Sequence, residues 1–83
     1  MTARPDDAAR EAAKLRDYKP CEALAMRLGI PLGPVRDEWD ECSAIREFEG
    51  GYPRAEAERL AMVDVTRYFE AQVAARRARP AAR

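Results

Sequence analysis

The chain has 83 residues, with 15 basic and 15 acidic side chains, no histidine and a formal charge of zero. That length holds one small domain and excludes a two-lobed enzyme, and the missing imidazole removes the commonest general base and metal ligand. No apolar run nears the ~20 residues that span a bilayer and nothing at the start reads as an export signal, so a cytoplasmic protein with Cys21 and Cys42 as reduced thiols is expected.

Seventeen alanines and thirteen arginines describe a helix-prone chain that proline and glycine divide into segments. Residues 1–6 are expected to be flexible, 7–79 to form a single helical domain, and 80–83 to be a basic tail. A first helix over 7–18 has Asp6 and Asp7 at its positive end but only Leu15 and Tyr18 as large apolar residues, so it docks weakly. Pro20 opens a second helix over 20–28, which buries Leu24 and Leu28 with Cys21 or Ala25 alongside. Gly29 is its left-handed stop, and Ile30-Pro31-Leu32-Gly33 is a tight apolar connection. Pro34 starts a third helix over 34–49, in which Val35, Trp39, Cys42, Ile45 and Phe48 form one apolar stripe. Gly50-Gly51 ends it, and Pro53 starts a fourth helix over 53–79.

The main face of the fourth helix is Ala61, Met62, Val65, Tyr68, Phe69 and Val73, while Leu60 and Val63 form a second apolar strip, the candidate dimer contact. The expected fold is all-α, a compact bundle of three to four helices with a Gly-Gly turn between the last two. So small a core must offset ordering entropy of ~1.5 kcal/mol per residue. A homodimer, or a partner that completes the core, is therefore an open alternative to a monomer.

Residues 22–36, Glu-Ala-Leu-Ala-Met-Arg-Leu-Gly-Ile-Pro-Leu-Gly-Pro-Val-Arg, resemble the helix-turn-helix of sigma-factor-like and small regulator domains. The resemblance implies a DNA-binding transcriptional or excision regulator with Arg36 as a contact. Charge opposes it. Residues 34–49 carry six acids, Asp37, Glu38, Asp40, Glu41, Glu47 and Glu49, against Arg36 and Arg46. Asp37, Asp40 and Glu47 are expected on the face away from Val35 and Trp39, where they would repel phosphate. Basic charge gathers at the other end, where Arg76, Arg77, Arg79 and Arg83 could follow a nucleic-acid backbone or simply suit a helix C-terminus.

Residues 44–61, Ala-Ile-Arg-Glu-Phe-Glu-Gly-Gly-Tyr-Pro-Arg-Ala-Glu-Ala-Glu-Arg-Leu-Ala, resemble a helical segment of small accessory proteins of bacterial phages and mobile elements. Tyr52-Pro53 stands where that segment often has Leu-Ser, replacing a side-chain cap by a proline start. The resemblance implies a mobile-element accessory protein and transfers no catalytic residue. The glycine–aromatic bend also resembles ubiquitin-associated modules, in which a loop aromatic meets a partner. Tyr52 is either such a contact or a lid over the core.

Catalysis finds little to work with. Cys21 near a helix start could have a lowered thiol pKa, but no histidine is present to act as base. The acids of the third helix lack ligands from a second segment, and no glycine loop cradles phosphate. No enzyme activity, metal or cofactor is expected. The leading expectation is protein binding through an acidic helix, with Asp37, Asp40, Glu41, Glu47 and Tyr52 as contacts, onto a nucleic-acid-processing or host-defence, CRISPR-like complex. Nucleic acid would be reached directly or through that complex, and no membrane is involved.

Overall fold

The computed structural model describes residues 16–79, so the segment 1–6, most of the helix expected over 7–18 and the tail at 80–83 lie outside the described residues. The fold is an all-α bundle: α1 spans Lys19–Leu28, α2 spans Leu32–Ala44 and runs on as a π-helical turn over Ile45–Glu49, and α3 spans Arg54–Ala78. No strand occurs among the described residues, and none of their helices is long and apolar enough to cross a membrane.

Arg16, Asp17 and Tyr18 are not helical, which corrects the expectation of a helix reaching Tyr18. The Lys19 amide donates to Asp17 Oδ1 at 3.0 Å, a short side-chain bond that takes the place of a bond to a carbonyl one turn back. α1 then starts with proline in its first turn and stops at Gly29, whose φ is +65°. The stop is a Schellman turn: Gly29 N–H donates to the Met26 carbonyl at 3.3 Å, and Ile30 N–H to the Ala25 carbonyl at 3.0 Å.

α2 begins at Leu32, two residues before the expected start at Pro34, after an extended Pro31 (φ −61°, ψ 142°). Pro34 falls inside the first turn, where its missing N–H costs no helical bond.

The core joins Cys21, Leu24 and Ala25 of α1 to Val35 and Trp39 of α2 and to Ala61, Val65 and Phe69 of α3. Ala57 and Ser43 are also buried, while Leu28, Cys42 and Met62 are half-buried. On α3 the buried residues recur every four positions from Ala57 to Phe69, and Tyr68, expected on that face, is 49% exposed. The indole N–H of Trp39 donates to the Glu58 carbonyl at 2.9 Å, so the largest core side chain has its polar atom satisfied.

The apolar stripe of α2 holds at Val35 and Trp39 and then breaks, because Ile45 is 48% and Phe48 44% exposed. The Gly50 amide donates to the Ile45 carbonyl at 3.1 Å, a bond from i+5 to i. Adding a residue to the turn means that a spacing of three no longer returns to the α-helical face.

Gly50 and Gly51 end this turn for different reasons. Gly51 has φ +72°, whereas a Cβ on Gly50 would stand 2.7 Å from the Arg46 carbonyl oxygen and 3.1 Å from the Tyr52 ring. Tyr52 N–H donates to that same carbonyl at 3.1 Å, which folds the ring back over the glycine. The short turn leads straight into α3, which packs against α2 and its π-helical turn through contacts that include Trp39 with Glu58 and Arg46 with Asp64.

Candidate docking face and a buried arginine

The segment before α1 is tied down by two side chains. The guanidinium of Arg16 is fully buried among carboxylates from two other helical stretches: Nε lies 2.9 Å from Glu58 Oε2, Nη1 3.2 Å from Asp40 Oδ1 and Nη2 3.8 Å from Glu47 Oε2. The last distance exceeds hydrogen-bond length, and neither of its two buried atoms has another hydrogen-bond partner. Glu58 is shared with Arg54, whose Nε is 3.3 Å away. Tyr18 donates its hydroxyl to Asp40 at 2.8 Å and sets its ring edge-on to Trp39, centroids 5.7 Å apart. The Arg36 guanidinium lies 4.1 Å above the Tyr18 ring, within cation–π range. Burial, followed by the hydrogen bond to Asp40 and its charge, raises the Tyr18 phenol above its ordinary pKa.

These contacts correct the placement of the acidic face. Asp40 and Glu47 do not point away from the body; they are half-buried partners of Arg16, with side chains 28% and 21% exposed. Arg36, the contact implied by the helix-turn-helix resemblance, is stacked on Tyr18. Arg16 and Glu58 were missing from the sequence-based candidates. Arg16 is separated by 24 and 42 positions from two of its partners, so no local spacing marks the cluster.

The outward face of α2 consists of different acids. Among the described residues, Asp17, Glu22, Asp37, Glu38, Glu41 and Glu49 have no cation within 4.0 Å, whereas Asp40, Glu47, Glu56, Glu58, Asp64 and Glu70 are ion-paired; four of the six unpaired acids lie on α2 and its π-helical turn. Asp37, Glu41 and Glu49 are exposed and Glu38 half-buried. At the helical repeat, Asp37 and Glu41 lie opposite Val35 and Trp39. This acidic stretch runs into three exposed apolar residues around the turn: Ile45, Phe48 and Tyr52, the last 42% exposed. Ile45, Tyr52, Cys42 and Glu49 line an open hollow of about 480 Å³ there, bounded on the α3 side by the Arg46–Asp64 ion pair. The exposed Tyr52 ring thus rests on Gly50 rather than closing over the core.

The candidate dimer residues Leu60 and Val63 are one turn apart on α3, Leu60 half-buried and Val63 39% exposed. Val63 lines a groove of about 740 Å³ with Trp39, Met62, Thr66 and Arg67, while Leu60 lies outside it. Arg76, Arg77 and Arg79 are exposed at the far end of α3.

Both thiols are held above the ordinary cysteine value. Cys21 is completely buried; burial first, then the charge of Asp40, pushes its thiol up to about 11. Desolvation therefore overrides the lowering expected from a helix start. The Cys42 thiol is also raised, by burial and then by Glu38 and Asp64. Among the described residues no group of three histidine, cysteine, aspartate or glutamate side chains is placed to hold a metal ion.

Comparison with protein-family models, with curated proteins and with solved structures finds no match to this chain.

Proposed function

We propose that this chain is a non-catalytic binding protein that docks on a basic protein surface through the outer face of α2 and the turn that follows. The observation that carries this reading is the division among the carboxylates of α2 and its turn: Asp40 and Glu47 face inward and pair with Arg16, while Asp37, Glu38, Glu41 and Glu49 are left unneutralised beside exposed Ile45, Phe48 and Tyr52. Unneutralised charge steers a complementary partner into place, and desolvated apolar and aromatic anchors then supply binding energy. The basic channel of a nucleic-acid-processing machine offers both a cationic lining and apolar side chains. The resemblance of residues 44–61 to phage and mobile-element accessory proteins supports such a partner, including a host-defence complex of CRISPR type. The same face argues against DNA as the ligand of α2. A recognition helix turns its exposed side to the major groove, and here that side carries Asp37 and Glu41.

The test is capture from host lysate with three immobilised proteins: the unaltered chain, an Asp37→Lys/Glu41→Lys/Glu49→Lys variant, and Ile45→Asp. The expected result is a captured protein that binds nucleic acid, is displaced by added DNA, and is lost from both variants while their helical circular dichroism is unchanged. Equal capture by all three would overturn the reading, as would a captured protein indifferent to DNA.

A further inference from the structure

The far end of α3 is only sparsely covered: Arg27 and Leu28 of α1 share an open hollow with Val73, Ala74, Arg77 and Ala78 on one side of it. Phe69 is its last buried residue, and from Ala71 to Arg79 only Val73 is even half-buried. Alanine, glutamine and arginine have enough intrinsic helix propensity to extend the helix there without tertiary support. This stretch contains three arginines and no acid, and the nearest carboxylate, Glu70, is paired with Arg27 at 3.3 Å. Arginine at a helix C-terminus is favoured by the dipole, which accounts for the sign of the charge but not for its arrangement.

At 3.6 residues per turn, Tyr68, Gln72, Arg76 and Arg79 fall on one strip. It lies beside the buried row Ala57–Ala61–Val65–Phe69, which continues into half-buried Val73 and on to Arg77 next to α1. Tyr68 is 49% exposed and held in orientation: its ring meets Phe69 edge-on at 5.0 Å, and its hydroxyl accepts from Gln72 Nε2 at 2.8 Å.

We propose that the Tyr68–Gln72–Arg76–Arg79 strip binds single-stranded nucleic acid, Arg76 and Arg79 on phosphates and the Tyr68 ring stacked on a base. An exposed aromatic in line with cations that no internal carboxylate neutralises is the combination that tracks a single strand. A membrane surface is disfavoured because this end of α3 has only Val73 and alanines to insert. An acidic peptide would engage the arginines but leave the tyrosine unused. The strip uses no residue of the outer face of α2, so the two sites stand or fall separately.

Fluorescence anisotropy of the full chain with labelled oligothymidylate of roughly 16 nucleotides, a length within the site sizes of single-strand binders, tests this. Neutralising about two phosphates predicts a slope of log K against log salt of about −1.4. Arg76→Glu/Arg79→Glu should abolish binding at low salt. Tyr68→Ala should weaken it about tenfold, a loss of the size that base stacking supplies, and Tyr68→Phe should restore it. No binding at low salt would overturn the proposal. So would binding undiminished by the double substitution, or equal affinity for duplex and single strand with Tyr68→Ala unchanged. Helical circular dichroism of each variant separates loss of binding from loss of fold.

Discussion

A methyl group on Gly50 would overlap the Arg46 carbonyl at 2.7 Å, while one on Gly29 would meet nothing within 4 Å and strain only the backbone at φ +65°. These are separate costs. Placing an L-residue in the left-handed region costs about 1–2 kcal/mol, so Gly29→Ala and Gly51→Ala should each lose about 1 kcal/mol in urea unfolding. Gly50→Ala must push back the carbonyl that accepts from Tyr52, and is expected to lose more, about 2–3 kcal/mol. Equal losses at all three positions would show that the turn opens freely around Gly50. The stop at Gly29 was legible in the sequence because apolar helix followed by glycine has one common geometry. The tight approach at Gly50 was not, because it depends on where the Arg46 carbonyl ends up.

The elements divide at Ala44. Before it, the spacing of Val35 and Trp39 reads correctly as a buried face; after it, the π-helical turn carries Ile45 and Phe48 out to solvent. A periodic pattern assumes a constant twist, and a π-helical turn of i+5 to i bonds breaks that assumption without leaving a signature in hydrophobicity. Ile45→Ala and Phe48→Ala should therefore cost less than about 1 kcal/mol, against about 3–5 kcal/mol for Phe69→Ala in the core. Thermal or urea unfolding of the three variants checks the order. A large loss at Ile45 would mean that its side chain is needed inside the bundle. The same exposure makes Ile45 usable as a docking anchor, because changing it should leave the fold intact.

At the scale of the whole molecule, Arg16 links the segment before α1 to both α2 and α3. Its side chain is fully buried, while its three carboxylates retain 21–28% exposure, so water screens part of the interaction. Removing one partner of a buried ion pair commonly costs 3–5 kcal/mol, and with this screening Arg16→Ala should lose about 2–3 kcal/mol. Tyr18 would lose its anchoring neighbour, and the emission of Trp39, the single tryptophan, should shift to longer wavelength as the ring beside it loosens. A variant of unchanged stability and emission would show that Tyr18 alone holds the segment.

The molecule is also polarised in charge, with unpaired acids along α2 towards the glycine turn and unpaired arginines at the far end of α3. The order of helices, their glycine stops and most of the core of α1 and α3 were determined by the sequence, since cadence, proline and glycine act within a few residues. The assignment of each acid was decided only by the tertiary structure. Asp37, Asp40, Glu41 and Glu47 look alike in the chain, but Asp40 and Glu47 are drawn inward by an arginine that folding alone brings beside them. Charge pairing acts through space, and no spacing along α2 records where Arg16 will lie.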